Sequence, residues 1–213
     1  MAPEKYRFIV IEGAIGVGKT TLAKRFAAHL HSRLLLEDAA ANPFLAKFYH
    51  DPERYALPTQ LFFLFQRAEQ MRELAQSDLF HHATVTDFLL DKDPLFARLN
   101  LSDDEFKLYR EMYRHLQPQT PKPDLVIYLQ ASENALMERI VQRRIDYEQT
   151  ITQSYLSRLT DSYSQYFHHY DASPLLIVNS ENFNFTEQTK DFELLLEKIA
   201  GMRGGREFFN RAG

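Results

Sequence analysis

An α/β fold on a parallel sheet is predicted by three observations. Short apolar runs alternate with segments of helical periodicity along the chain. The first run leads into Gly13, Gly16 and Gly18, three glycines within six residues. The rest of the chain is poor in glycine: 213 residues hold only seven, and none lies between Lys19 and Ala200. That is less than half the usual share of about 7%. Three glycines at one point mark a place where the backbone takes positive φ or approaches another group closely.

The elements follow in order. Residues 7–12 (Arg-Phe-Ile-Val-Ile-Glu) are an apolar, β-branched run and read as a buried strand. Over 19–31, Leu22, Ala23, Phe26, Ala27 and Leu30 repeat at helical spacing. Leu34 to Leu36 form a second strand ending at Glu37, and Asn42-Pro43 marks a turn or a helix start. A long helix is predicted over 53–76, with Pro58 tolerable only near its first turn. Ala83 to Thr86 form a third strand ending at Asp87. Ser102-Asp103-Asp104-Glu105 is a capping box that opens a helix to about Leu116. Pro118, Pro121 and Pro123 interrupt the chain before a fourth strand, Leu125 to Leu129. Ser132 caps a helix to about Arg143, and another helix covers 150–169. Pro174 to Val178 is a fifth strand, and residues 192–199 close the domain as a helix. The expectation is one domain over 1–200 with five parallel strands, followed by a flexible tail at 201–213.

Gly13-Ala14-Ile15-Gly16-Val17-Gly18-Lys19-Thr20 fits G-x-x-x-x-G-K-[ST], between a strand and a helix as the motif requires. The glycines let backbone N–H groups turn inward as an anion nest, and the following helix adds its positive end. Lys19 is placed to reach the β- and γ-phosphates of a nucleoside triphosphate, and the Thr20 hydroxyl to ligate Mg²⁺. Open parallel sheets bind ligands outside the carboxyl ends of their strands. Strands two and three deliver Glu37 and Asp87 there, the helix after strand four carries Arg139, Arg143 and Arg144, and strand five delivers 179–185. A base, an acid near the metal and cationic clamps are the parts of phosphoryl transfer. Either Glu37 or Asp87 fits the base. Arg139 and Arg143, four residues apart, share a helix face.

Composition removes other chemistries. No cysteine is present, so disulfides, thiolate catalysis and cysteine-ligated metals are excluded. A net charge of -4 and a pI of about 6.1 supply no basic field for nucleic acid. Mean hydropathy is -0.40 and no long apolar run occurs, so no membrane span is expected. Neither a signal peptide nor an anchor is recognisable, and the cytoplasm is the expected compartment.

Beyond the loop, a series of residues resembles the deoxynucleoside kinase family, in particular its bacterial deoxyadenosine/deoxyguanosine kinase branch. The resemblance spans about residues 6–199. It is carried by Ile11 to Thr20, Leu36-Glu37, Asn42-Pro43-Phe44-Leu45, Phe48-Tyr49, Arg54-Tyr55 and Gln60. Asp87, Lys92-Asp93, Leu95-Phe96-Ala97, Pro123-Asp124-Leu125, Tyr128 to Ser132, Tyr147-Glu148 and Tyr155-Leu156 continue it. It implies a three-layer P-loop kinase fold and ATP- and Mg²⁺-dependent phosphorylation of a deoxynucleoside 5′-hydroxyl, the base being a purine.

The resemblance also implies residue roles. Glu37 takes the hydroxyl proton. Tyr49 and Glu148 hold the sugar 3′-hydroxyl. Gln60, with Arg67 and Asp93, reads the base edge, and Phe96 lines the base pocket. Arg139 and Arg143 belong to a lid at about 139–148, residues 182–185 lie near the adenine of ATP, and Thr21 and Arg144 complete the nucleotide contacts. Asp87 stands beside Thr20 as a metal-side acid. Gln60 and Arg67, seven apart, share one helix face.

Three departures from the family pattern stand out. No arginine follows Asp87, where many members carry one that supports the base carboxylate. Arg144 replaces the glycine usual between two lid arginines, and Ile145 stands where the second of these is expected. Asp38 to Ala41 is small where a pocket wall is expected. Two other functions remain as alternatives: a nucleoside monophosphate kinase of thymidylate type, and a nucleotide-binding module of weak catalysis. The apolar faces of the long helix and of residues 102–116 exceed what one small sheet covers, and the family pairs subunits through helices. A homodimer is therefore expected.

Overall fold

The computed structural model describes residues 5–76, 83–116, 121–181, 183, 185 and 188–210. Pro118, Asn182, Asn184 and residues 211–213 lie outside them.

Six strands form one sheet: β1 (Phe8–Gly13), β2 (Arg33–Leu35), β3 (Thr84–Thr86), β4 (Leu125–Gln130), β5 (Leu175–Asn179) and β6 (Arg206–Phe209). Their order is β2-β3-β1-β4-β5-β6, and every pairing is parallel. The strand leading into the glycine loop is therefore central. Strands covered on both faces read as continuous apolar runs, and all six residues of β1 are buried.

Among the described residues eight α-helices connect and cover the strands: α1 (Lys19–Leu30), α2 (Leu45–His50), α3 (Pro52–Gln76), α4 (Asp93–Asn100), α5 (Asp103–Leu116), α6 (Glu133–Arg143), α7 (Gln153–His169) and α8 (Thr189–Gly201). On α1 the predicted stripe of Leu22, Ala23, Phe26 and Ala27 is the buried one. The capping box forms at α5: the Glu105 carboxylate accepts from Ser102 N at 2.9 Å, and Ser102 Oγ accepts from Glu105 N at 3.4 Å. Ser132 Oγ caps α6 by accepting from Ala135 N at 3.4 Å. Pro58 lies two turns inside α3, so the helix runs through it without the hydrogen bond a backbone N–H there would donate.

The five-strand expectation is corrected to six, and the domain extends past residue 200. The segment expected to trail as a tail supplies β6, which pairs Leu175↔Arg206 through Val178↔Phe209. Four residues after a Gly-Gly pair carry too little periodicity to announce a strand, and tertiary bonds fix it instead. Leu175 N donates to Gly205 O at 2.8 Å. The Arg206 guanidinium donates to His168 O and Tyr170 O, each at 2.7 Å. Glu207 accepts from Lys198 Nζ at 2.7 Å and Arg203 N at 2.8 Å. The short helices α2 and α4 were also not individually resolved in the sequence.

Candidate active site

The glycine loop joins β1 to α1 at the middle of the sheet. Two glycines are fixed by close approach. A Cβ on Gly13 would lie 2.5 Å from Leu129 O, and one on Gly16 3.0 Å from Leu136 O and from Ile140 Cγ1. The loop is thus clamped against β4 at Gly13, too closely for any Cβ, and against α6 at Gly16, where a Cβ would force its neighbours to give. Gly18 caps α1 in the left-handed conformation, at φ 100. Lys19 Nζ curls back over the loop and donates to Gly13 O at 2.8 Å and Ala14 O at 3.1 Å. Burial lowers the pKa of the ammonium below the usual lysine value, against the opposing charge of Glu12.

The carboxyl ends of β2 and β3 bring two carboxylates to this loop. Asp87 accepts from the Thr20 hydroxyl at 2.6 Å through Oδ2 and from Glu37 N at 2.8 Å through Oδ1. Burial raises its pKa, and the Thr20 hydrogen bond opposes the rise. Glu37 accepts from Arg67 Nε at 2.6 Å. Burial alone would raise the Glu37 pKa, but Arg67, Lys92 and Lys19 outweigh it and hold the carboxyl below its ordinary value. The two acids differ in kind. Asp87 is tied to the threonine of the loop, whereas Glu37 is an ionised acceptor facing cations.

Arg67 also pairs with Asp93, which accepts in turn from the Tyr109 hydroxyl. Arg67, Asp93 and Tyr109 are almost wholly buried. Arg67 therefore supplies the cation beside Glu37 that the sequence lacks after β3. It does so from α3, which packs along the segment after β2: Gln66 Nε2 donates to Asp38 O at 3.1 Å and Gln70 Nε2 to Leu36 O at 2.9 Å. The small residues Ala39–Ala41 form a 3₁₀ turn capped by Asp38 within that segment.

Gln60 shares the buried face of α3 with Arg67, as their spacing predicts. Its Oε1 has no hydrogen-bond partner among the described residues, and neither has Glu148 Oε2. A buried polar atom left without a partner costs about 1–3 kcal/mol. A ligand that supplies a donor removes that cost. Tyr49 stacks on Tyr147 at 6.0 Å between centroids. Burial pushes the Tyr49 phenol well up, with Tyr155 and Glu148 adding to the effect, so it stays a neutral donor. Phe96 meets Tyr163 edge-on at 5.9 Å.

Besides the pairs of Arg67, a further buried ion pair was not foreseen. Glu12, fully buried in β1, pairs with Lys92 at 2.8 Å, and Lys92 Nζ donates to Tyr163 Oη at 2.7 Å. Glu12 also accepts from Gly13 N at 3.0 Å and Leu89 N at 2.8 Å. These bonds tie the start of the glycine loop to the segment after β3. A carboxylate inside an otherwise apolar strand was the available signal, because a buried charge demands a partner.

The opposite flank is held by α6. Arg139 donates to Val17 O at 3.3 Å and to Ser180 O at 2.8 Å, joining the glycine loop to the segment after β5. Arg143 is exposed and meets Glu148 Oε2 at 3.5 Å, rather than the loop. Arg144 ends α6 in the left-handed conformation, φ 53 and ψ 36. That is the backbone geometry a glycine favours, so the replacement seen in the sequence is accommodated without changing the turn. Thr21 is exposed on α1. Among the described residues no group of three or more His, Asp or Glu side chains gathers as a metal cluster. Mg²⁺ does not require one, since it takes one or two protein oxygens with phosphate and water. Thr20 and Asp87 fit that need. No described helix is long and apolar enough to cross a membrane.

Comparison with known proteins shows the family and the fold. A family model described as deoxynucleoside kinase matches residues 9–202. The deoxyguanosine kinase of Bacillus subtilis is 32% identical over 197 residues, covering 90% of this chain and 95% of that protein. The deoxyadenosine kinase of Lactobacillus acidophilus is 30% identical over 205 residues, covering 90% and 94%. The structure of deoxyadenosine kinase from M. mycoides with bound dATP shares the fold, with a TM-score of 0.78 and 23% identity over 91% of this chain and all of that one.

Proposed function

The chain belongs to the deoxynucleoside kinase family, and from that premise we propose that it transfers the γ-phosphoryl group of ATP to the 5′-hydroxyl of a purine deoxynucleoside. The observation that carries this reading is the position of Glu37. Its backbone N donates to Asp87, which accepts from Thr20 of the phosphate loop, and its carboxylate accepts from Arg67, which shares the buried face of α3 with Gln60, whose Oε1 has no hydrogen-bond partner among the described residues. The purine preference is supported by the similarity to deoxyadenosine and deoxyguanosine kinases.

In this reading Gln60 meets the base edge, and Tyr49 and Glu148 take the sugar 3′-hydroxyl. Arg67 and Asp93 use their polar atoms on each other, on Glu37 and on Tyr109. Their part is to position Glu37 and to shape the pocket, while Gln60 keeps a free acceptor. Phe96 lines the wall. Glu37, ionised at neutral pH, orients the 5′-hydroxyl and takes its proton as the oxygen bonds to phosphorus. The bond between that phosphorus and the β–γ bridging oxygen breaks, and ADP leaves. Lys19 leaves the loop carbonyls for the phosphates, and Arg139 and Arg143 neutralise charge on the transferring group. Thr20, with Asp87 behind it, would hold Mg²⁺, which would supply charge neutralisation during the transfer.

The test is a product assay with ATP and each of deoxyadenosine, deoxyguanosine, deoxycytidine and thymidine. The expected result is a 5′-monophosphate plus ADP, fastest with a purine. Turnover with deoxynucleoside monophosphates alone, or with none of these, would overturn the reading. We further propose a homodimer through α3 and α5, where Phe65, Leu108 and Met112 are exposed. Light scattering should return twice 25.0 kDa.

A further inference from the structure

Glu12 and Lys92 form a buried ion pair to which the proposed chemistry assigns no part. Glu12 is the one charged residue of β1, and its carboxylate is saturated with donors. Oε2 accepts from Gly13 N and Lys92 Nζ, each at 3.0 Å, and Oε1 from Leu89 N and Lys92 Nζ, each at 2.8 Å. The buried Tyr163 hydroxyl accepts from Lys92 at 2.7 Å and donates to Glu12 Oε2 at 3.3 Å. The rings of Phe96 and Tyr163 enclose the ammonium, their centroids 4.9 and 5.0 Å away. Two charges taken out of water repay their desolvation only in such geometry, and an apolar pair of the same size often holds a fold as well. A charged pair at this place therefore points to position rather than to stability.

What the pair positions is the first peptide of the glycine loop. Glu12 accepts from Gly13 N, Lys19 Nζ donates to Gly13 O at 2.8 Å, and a Cβ on Gly13 would meet Leu129 O. Lys92 itself stands at the start of α4, immediately before Asp93. Asp93 pairs with Arg67, and Arg67 with Glu37. Two consecutive residues thus send buried ion pairs to two places: Lys92 through Glu12 to the glycine loop, and Asp93 through Arg67 to Glu37. The start of α4 holds the phosphate loop and the proposed base in one frame.

We propose that Lys92 is a positioning residue for phosphoryl transfer: through Glu12 it fixes the glycine loop relative to Glu37, so that the bound phosphate and the acceptor hydroxyl meet in line. It acts through Glu12 and touches no reacting atom. The inference rests on the kinase reading above for the acceptor and for Glu37. It goes beyond that reading by giving a consequence in rate to a pair that meets neither substrate.

The experiment replaces the pair by neutral groups of similar size, Glu12→Gln together with Lys92→Met, in the full chain. Lys92→Met alone leaves a buried carboxylate unpaired and should unfold easily, whereas the double variant removes both charges and should fold. ATP is varied at a saturating level of the fastest deoxynucleoside, and the reverse. In the double variant kcat should fall about 10- to 100-fold, the loss that a small misplacement of reacting groups brings, with each KM within about threefold. A wild-type kcat in the folded double variant would make the pair purely structural and overturn the proposal. A loss carried by either KM with kcat unchanged would overturn it too.

Hydrogen exchange gives a second reading that needs neither acceptor nor variant. In the wild-type chain a non-hydrolysable ATP analogue should slow the amides of Leu89, Lys92 and Asp93 as well as those of the glycine loop. Slowing confined to the loop would overturn the proposal. In a folded double variant the slowing should stop at the loop, and slowing equal to that of the wild type counts against it. A chain that phosphorylates no deoxynucleoside but passes this measurement would lose the proposed function and keep the inference that Lys92 positions the loop.

Discussion

The two flanks of the glycine loop are built from different materials. On the β2–β3 side, charged side chains meet one another across distant parts of the chain: Arg67 with Glu37 and Asp93, Asp87 with Thr20, Lys92 with Glu12. On the β4–β5–β6 side, arginines hold backbone carbonyls, and aromatic rings stack. The difference follows from the chemistry proposed for each. The acceptor flank must select one hydroxyl and receive its proton, which needs ionised groups at defined positions. A donor flank needs a surface for a flat base and N–H groups for phosphate, and shape suffices. The acceptor flank should therefore fail in rate and pH dependence, and the donor flank in donor affinity alone.

The largest effect is expected at Glu37. Glu37→Gln keeps the size and a hydrogen-bonding group but removes the proton acceptor. General-base catalysis contributes about 10²–10⁴-fold, so kcat should fall by about that factor while the deoxynucleoside KM changes little. Asp87→Asn should instead act through Thr20 and the metal, and magnesium titration should show it as a higher requirement. If Glu37→Gln turned over near the wild-type rate while Asp87→Asn abolished it, the roles of the two acids would be exchanged.

A second break lies at Arg67. Its cation is the largest influence opposing the rise that burial would give Glu37. A depressed carboxylate pKa contributes stability that is present above the unfolded value and is lost as pH falls through the folded one. The same ordering sets activity, because the base must be ionised. Arg67→Gln should therefore move the acid limb of the kcat–pH profile to higher pH. It should also destabilise the fold by about 3–5 kcal/mol, the usual effect of removing one partner of a buried pair. Arg67→Lys should recover part of both. An unmoved acid limb in a folded Arg67→Gln variant would mean that Glu37 is not the group that titrates.

The flanks also differ in how far the sequence disclosed them. The loop motif, the two strand-end acids and the shared face of Gln60 and Arg67 were legible because they depend on local spacing, and spacing survives folding. The Glu12–Lys92 pair spans 80 residues, so only the demand of a charge in an apolar strand pointed to it. Arg67 was read toward the base edge, but its reach to Glu37 depends on how α3 packs against the end of β2. The strand β6 was missed because its pairing with β5 and the anchors of Arg206 and Glu207 are tertiary. Its own four residues carry no comparable signal.

The smallest effect is expected at Arg144, at the end of α6. A left-handed conformation costs a residue with a Cβ about 1–2 kcal/mol, and the greater unfolded freedom of glycine offsets part of that. Arg144→Gly should then stabilise the chain by about 1 kcal/mol at most, or about 2–4 °C in Tm for a domain of this size. The kinetics separate two reasons for keeping the arginine. If its side chain meets the donor phosphates, the stabilised variant should show a raised KM for ATP. If the same variant gains Tm with an unchanged KM, the arginine is a tolerated replacement, and the lid works through Arg139 and Arg143.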